Sequence, residues 1–146
     1  MKKINYLILA LIVLMSCRGF ALTLAENGKT NYRIIIPAAA TDKEKHAANV
    51  LSDYLNQATL AVYYIYPDTV PVAPQEILIG RTSHNIKLHP LMDNNQFVIE
   101  TREESILIYG GNENGVIYAV YNFLEKYLQA RMYSSDFIQI KDFNKL

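Results

Sequence analysis

The sequence predicts an α+β fold: a two-layer sandwich in which a mixed β-sheet carries two main helices packed on one face. Three observations lead there. Short apolar or β-branched runs at Tyr32–Ile36, Val62–Tyr66, Glu76–Gly80 and Ser105–Tyr109 have strand length and are bounded by turn or proline residues. Two longer segments, Thr41 to about Gln57 and 115–128, place apolar residues at helical spacing. The order of elements ends in a hairpin followed by a helix rather than in strict strand–helix alternation, which favours a mixed sheet covered on one side.

The first residues are excluded from the fold. Lys2 and Lys3 precede an apolar run from Tyr6 to Met15, the form of an export signal over residues 1–16. The run is too short for a membrane span, which takes about 20 residues. Leu14-Met15-Ser16-Cys17 resembles a bacterial lipobox. The resemblance implies that Cys17 is the lipidated first residue of the mature chain, with 17–21 a short tether and 22–146 the domain. Two other readings compete: cleavage after Ala21, giving a secreted protein, and Cys17 as a small apolar residue of an uncleaved anchor. The expected location is the bacterial cell envelope, periplasm or outer membrane, with a lipid anchor as the link to the membrane. Cys17 is the only cysteine, so the domain itself is expected to hold no disulfide and no thiolate metal site.

Within the domain, Leu22-Thr23-Leu24 is expected as a brief strand and Asn27-Gly28 as a turn. Tyr32–Ile36 is a strand stopped by Pro37. Thr41-Asp42-Lys43-Glu44 is a capping-box pattern, in which the threonine oxygen accepts from the Glu44 amide and Glu44 reaches back. The helix it opens gathers Ala47, Leu51, Tyr54, Leu55 and Ala58 on one face, and Lys43, Lys45, Asn49 and Asp53 on the other. Val62–Tyr66 is a β-branched and aromatic strand. There Tyr63, Tyr64 and Tyr66 form a cluster of rings suited to stacking sugars, but Tyr64 and Tyr66 share one face and Tyr63 takes the other, so at least part of the cluster is expected in the core. A proline-rich connection, 67–74, leads to the strand Glu76–Gly80, and 81–95 is a loop or a short helix. Gln96–Glu100 and Ser105–Tyr109 form a hairpin across 101–104. The glycine-rich turn 110–115, with Asn114 as N-cap, gives close helix–sheet packing and opens the last helix. A short strand follows around Arg131–Tyr133.

That last helix is apolar over most of its circumference. Val116, Val120, Phe123 and Tyr127 form one stripe, and Ile117, Tyr121, Leu124 and Leu128 a second beside it. Such a helix is normally buried on more than one side. The second stripe is therefore expected to form a domain interface.

Composition narrows the function. The 146 residues are 51% hydrophobic and 19% charged, enough for one ordinary core. Without Lys2 and Lys3 the basic residues number two fewer than the 14 acidic ones. No basic patch for nucleic acid is expected. Glycoside hydrolysis needs two carboxylates set across the scissile bond. Glu103 and Glu104 are adjacent in a hairpin tip, and Asp42, Asp53, Asp68, Asp93 and Asp136 share no element. His46, His84 and His89 lack metal-ligand spacing and read as surface histidines. The turn 110–115 lacks the lysine and hydroxyl of a phosphate loop, and Glu113 would repel an anion. No catalytic, metal or cofactor residue is expected.

Taken in order, the residues carry a resemblance. Tyr32-Arg33-Ile34-Ile35-Ile36-Pro37, the helix with Ala47-Ala48 and Leu51, and Ile77-Leu78-Ile79-Gly80 form its first half. Ile106–Gly111, Gly115–Tyr121, Phe123-Leu124-Glu125 and Arg131-Met132-Tyr133 form its second. Together they resemble the non-catalytic, domain-2-like module that precedes the catalytic barrel in bacterial β-N-acetylhexosaminidases and α-glucuronidases, as found in large bacterial lipoproteins. The pattern departs at Gln129-Ala130, where glycine is common, and at Met132 and Ser135. The missing glycine suggests either a different exit from the helix or relaxed selection on a truncated copy. The resemblance implies an accessory role, supporting a catalytic (β/α) barrel that lies outside this chain, in a setting of glycan degradation. The parent enzymes hydrolyse O-glycosyl bonds through carboxylates of that barrel. The alternative is a free-standing periplasmic module that binds glycan or protein through the apolar face of the 115–128 helix.

Overall fold

The computed structural model describes residues 22–84, 87–90 and 95–129, together with the backbone of 131–134 and 137–139. The export signal, Cys17, the tether, Asp93, Asp136, Ser135 and the side chains of Met132 and Tyr133 lie outside the described residues.

The main sheet has the order β2-β1-β3-β5-β4, built from β1 (Arg33–Ile36), β2 (Ile65–Pro67), β3 (Glu76–Ile79), β4 (Phe97–Arg102) and β5 (Ser105–Gly110). Strands β2, β1, β3 and β5 run parallel, and β4 pairs antiparallel with β5. Helices α1 (Asp42–Thr59) and α2 (Glu113–Leu128) pack on one face. The expected α+β sandwich with a mixed sheet and both helices on one side is the fold observed. A separate antiparallel pair, β6 (Arg131–Ser134) and β7 (Phe137–Gln139), follows α2. The expected strand at 22–24 does not form. Leu24 is instead a buried residue whose carbonyl accepts from Thr30 Oγ1 at 2.6 Å and the Tyr63 hydroxyl at 3.0 Å.

Strand alternation decides which residues meet the helices. Ile34, Ile77, Ile79, Ile106 and Ile108 point to the helix side and form the main core with Leu51, Leu55, Val120, Phe123, Leu124 and Leu128. Ile35, Leu78, Leu107 and Tyr109 point the other way and are also buried, covered by Val70, Leu88 and Val98 rather than by a helix. β3 is buried at all four positions, as expected of a parallel strand in the middle of a sheet.

Local signals set the helix boundaries. At α1 the capping box is complete: Thr41 N donates to Glu44 Oε2 at 2.9 Å, and Glu44 N donates to Thr41 Oγ1 at 3.3 Å. At α2 the N-cap is Asn112 rather than Asn114. Asn112 Oδ1 accepts from Gly115 N at 2.8 Å, while Asn114 Oδ1 accepts from Lys43 Nζ. Both helices exit through a left-handed residue that is not glycine, Leu60 (φ 58°) and Gln129 (φ 51°). The missing glycine at 129 therefore leaves the exit geometry unchanged, at a local backbone cost.

Gly110 and Gly115 let β5 and α2 approach closely. A Cβ on Gly110 would stand 2.5 Å from the Gly115 carbonyl carbon, against backbone that cannot step aside. Gly110→Ala is expected to cost about 1–3 kcal/mol through overpacking, read as a lowered midpoint in chemical unfolding. An unchanged midpoint would contradict the close approach.

Strand β2 borders the sheet, and the residues leading into it are already engaged on the outer side. Tyr64 and Asp68 bond inward to β1 through Ile34 N and Ile36 O. On the outer side, Tyr63 N donates to Asn56 Oδ1 at 2.8 Å and Tyr63 O accepts from Ser52 Oγ at 2.7 Å. Pro67 has no amide to offer.

Candidate functional site

The sheet face away from the helices carries the polar chemistry. Parallel register sets Arg33 beside Glu76, and the loops after β2 and β3 fold over them. Glu76 is 1% exposed, yet it is a carboxylate with every side engaged. Its Oε1 accepts from Arg33 Nη2 at 2.6 Å, Arg33 Nε at 3.1 Å and the Ala73 amide at 3.0 Å. Its Oε2 lies 2.9 Å from His84 Nδ1, and His84 Nε2 lies 2.9 Å from the Val70 carbonyl. The same Arg33 guanidinium donates to the Pro71 carbonyl. Burial alone pushes the Glu76 carboxyl up. The bonds from Arg33, His84 and the Ala73 amide, with the charge of His84, outweigh it and hold the carboxyl below the usual range.

Asp68 secures the same loops from the side. Its Oδ1 accepts from the Ala38 amide at 2.8 Å and its Oδ2 from the Ser83 amide at 2.6 Å, while Ser83 Oγ donates to the Asp68 carbonyl. The Ser83 amide is the main influence holding the Asp68 carboxyl low, and burial opposes it.

Beside this network lies an open groove of about 530 Å³, with Leu78 and Leu107 on its lining, the connection 72–74 along it, and His84, Arg102, Glu103 and Ser105 also lining it. Glu76 and Glu103 both line the groove. A glycosidic general acid needs a raised pKa, and Glu76 is shifted the opposite way with its oxygens already occupied. His84 has both ring nitrogens engaged, and Ser105 Oγ donates to Pro74 O. These groups fix loops to a sheet; they are not poised to attack a substrate.

Past the connection, on the same face, Tyr64 and Tyr66 stand 63% and 38% exposed, their ring centroids 6.4 Å apart and tilted by 51°. The Arg33 guanidinium carbon lies 5.9 Å from the Tyr66 ring centre. Tyr63 is buried on the helix side. The division of the three tyrosines between the two faces is the one their alternation predicts.

The interface stripe is corrected in half its members. Leu124 and Leu128 are 0% exposed and belong to the main core, so neither can meet another body. α1 lies alongside α2 and seals that side. Ile117 and Tyr121 are only half-buried and pack at the edge of the same core, as do Val50 and Tyr54 of α1. Burial raises the Tyr54 pKa, and Tyr121 and Asp53 add to it. Tyr118 is exposed.

The surface-histidine reading is also corrected in part. His84 has a side chain only 4% exposed and is the hub of the second face. His89 is largely exposed, 3.4 Å from Glu100. Glu103 and Glu104 form the tight turn of the β4–β5 hairpin, Glu103 at φ 53°, and the Glu104 carbonyl accepts from the Tyr32 hydroxyl at 2.7 Å. Sequence reasoning missed the Arg33–Glu76–His84 network. Its one signal was a glutamate opening the buried strand Glu76-Ile77-Leu78-Ile79, where a buried charge requires a partner.

Among the described residues no helix is long and apolar enough to cross a membrane, and no three His, Cys, Asp or Glu side chains gather as a metal-binding group.

No protein-family model and no curated protein matches the chain. Among solved structures it is similar to part of a GH138 enzyme targeting pectin rhamnogalacturonan II, at 16% identity and a TM-score of 0.45, over 68% of this chain and 10% of that one. The chain thus spans about a tenth of that enzyme, a likeness too weak to carry any argument about function.

Proposed function

We propose that the chain is an accessory, non-catalytic module of a carbohydrate-active protein, which buttresses a catalytic barrel through the outer surface of its helix layer. The supporting observation is the ordered resemblance across residues 22–140, together with a fold of the kind that resemblance implies. The contact surface differs from the stripe read from sequence. It is the seam between the two helices at the outer margin of the core, where Val50 and Tyr54 of α1 and Ile117 and Tyr121 of α2 are half-buried, with exposed Tyr118 on the same helix. Inter-domain contacts of this kind are modest in area and more polar than permanent interfaces, which suits helices whose exposed residues include Asn49, Asp53, Asn122 and Glu125.

The coding sequence downstream of codon 146 tests the reading first, because an in-frame barrel is required. Tyr121→Asp then tests the surface. The side chain is half-exposed, so the variant is expected to keep its circular-dichroism spectrum while losing association with the separately produced barrel, measured by sedimentation. Undiminished association would remove the seam from the proposal.

A further inference from the structure

His84 stands where three pieces of the second face meet: β3 through Glu76, the connection after β2 through Val70, and its own loop through the Ser83–Asp68 bonds. The Val70 carbonyl can only accept a hydrogen bond, and so can the Glu76 carboxylate, which Arg33 keeps ionised. Each lies 2.9 Å from a different ring nitrogen. A neutral imidazole has one N–H and one lone pair, so it satisfies one oxygen and turns a lone pair on the other. The imidazolium ion donates to both.

We infer that His84 is a protonation-dependent clasp: charged, it fastens the connection after β2 to the buried carboxylate of β3, and on losing its proton it drops one of the two attachments and loosens the cover of the sheet. Val70 is the residue at stake, because it packs on Ile35, Leu78, Leu107 and Tyr109. Without its bond to His84, the connection is still held by Arg33 at Pro71, by the Ala73–Glu76 and Ser105–Pro74 bonds and by Asp68, so the loosening is confined to the stretch around Val70.

The surrounding charges come from each neighbouring element. Glu76 on β3 and Asp68 after β2 favour the cation, and Arg33 on β1 opposes it from the far side of Glu76. Arg102 and Glu103, at the β4–β5 turn, line the same groove, and Arg102 is paired with Glu100 at 2.6 Å. Both attachments need the imidazolium, so closure is expected to weaken as pH rises through the range in which a histidine side chain gives up its proton.

Hydrogen exchange on the full chain tests the clasp. Protection of the Val70 amide, which donates to the Pro67 carbonyl within the connection, is followed from about pH 5.5 to about pH 8, corrected for intrinsic rates. One linked proton gives a fall of up to about tenfold per pH unit, while the amides of β1 and β3 hold steady. His84→Gln can still donate to Val70 but cannot gain a proton, and its profile is expected to be flat. In the wild type, ¹⁵N spectra near about pH 6 are expected to show protons on both ring nitrogens. A flat wild-type profile, a sloping His84→Gln profile, or a single neutral tautomer near about pH 6 would each overturn the clasp. If His84→Gln does not fold, the wild-type exchange and ring-nitrogen spectra decide it alone.

Discussion

Leu124→Asp is expected to abolish folding at neutral pH. Leu124 is 0% exposed and sits in the main core between the sheet and α1. Removing the leucine alone, as in Leu124→Ala, costs about 2–5 kcal/mol. A carboxylate left there without a partner adds several more, since none of the residues of that core carries an opposing charge. The total approaches the roughly 5–15 kcal/mol that holds a domain of this size. The expected measurement is the loss of a cooperative urea transition at pH near neutral, with Leu124→Ala still folded and less stable. The contrast with Tyr121→Asp, one turn away and half-exposed, is the informative part. If Leu124→Asp melts like the wild type, α1 does not seal this side of α2.

Glu76→Ala is the second large effect. The glutamate is the acceptor for Arg33, His84 and the Ala73 amide at once. Removing one partner of a buried ionic group costs about 3–5 kcal/mol, and the lower end is expected because Arg33, 24% exposed, can turn toward water. Glu76→Gln keeps the shape and an acceptor for Arg33, so its loss should be smaller. Acid gives a second readout. The folded carboxyl lies below its usual range, so its contribution is present above the unfolded-state value near about 4.3 and is lost as pH falls through the lower folded value. Asp68 moves in the same direction. The acid limb of a stability–pH profile is therefore expected to be shallower in Glu76→Gln than in the wild type. An equally steep limb would mean that Glu76 is not the group responsible.

The two helices, the sheet and their layering were legible because each rests on a local rule. Thr41 and Glu44 announce α1 through reciprocal bonds three residues apart, and the alternation of Tyr63, Tyr64 and Tyr66 sorts core from surface. What could not be read was which neighbour each side chain would find. The second apolar stripe of α2 looked like surplus because one helix was weighed against one sheet. With two helices in one layer, each must also cover the flank of the other, and an apolar circumference marks that lateral packing. Leu124 and Leu128 serve it. His84 was illegible for a different reason: it lies in a segment without periodicity, and its partner Glu76 reads as the polar start of an apolar strand. Only the sheet register and the fold-back of the loop bring them together. The N-cap falls at Asn112 rather than Asn114, two residues apart in a turn that offers both side chains, and the sequence alone does not choose between them.

The side chains that occupy the border of β2 also govern how copies behave when crowded. Asn56 and Ser52 stand where an incoming polypeptide would seek its first two bonds, and Pro67 denies it another. Neighbouring molecules are thus discouraged from zipping together along that flank into ribbons.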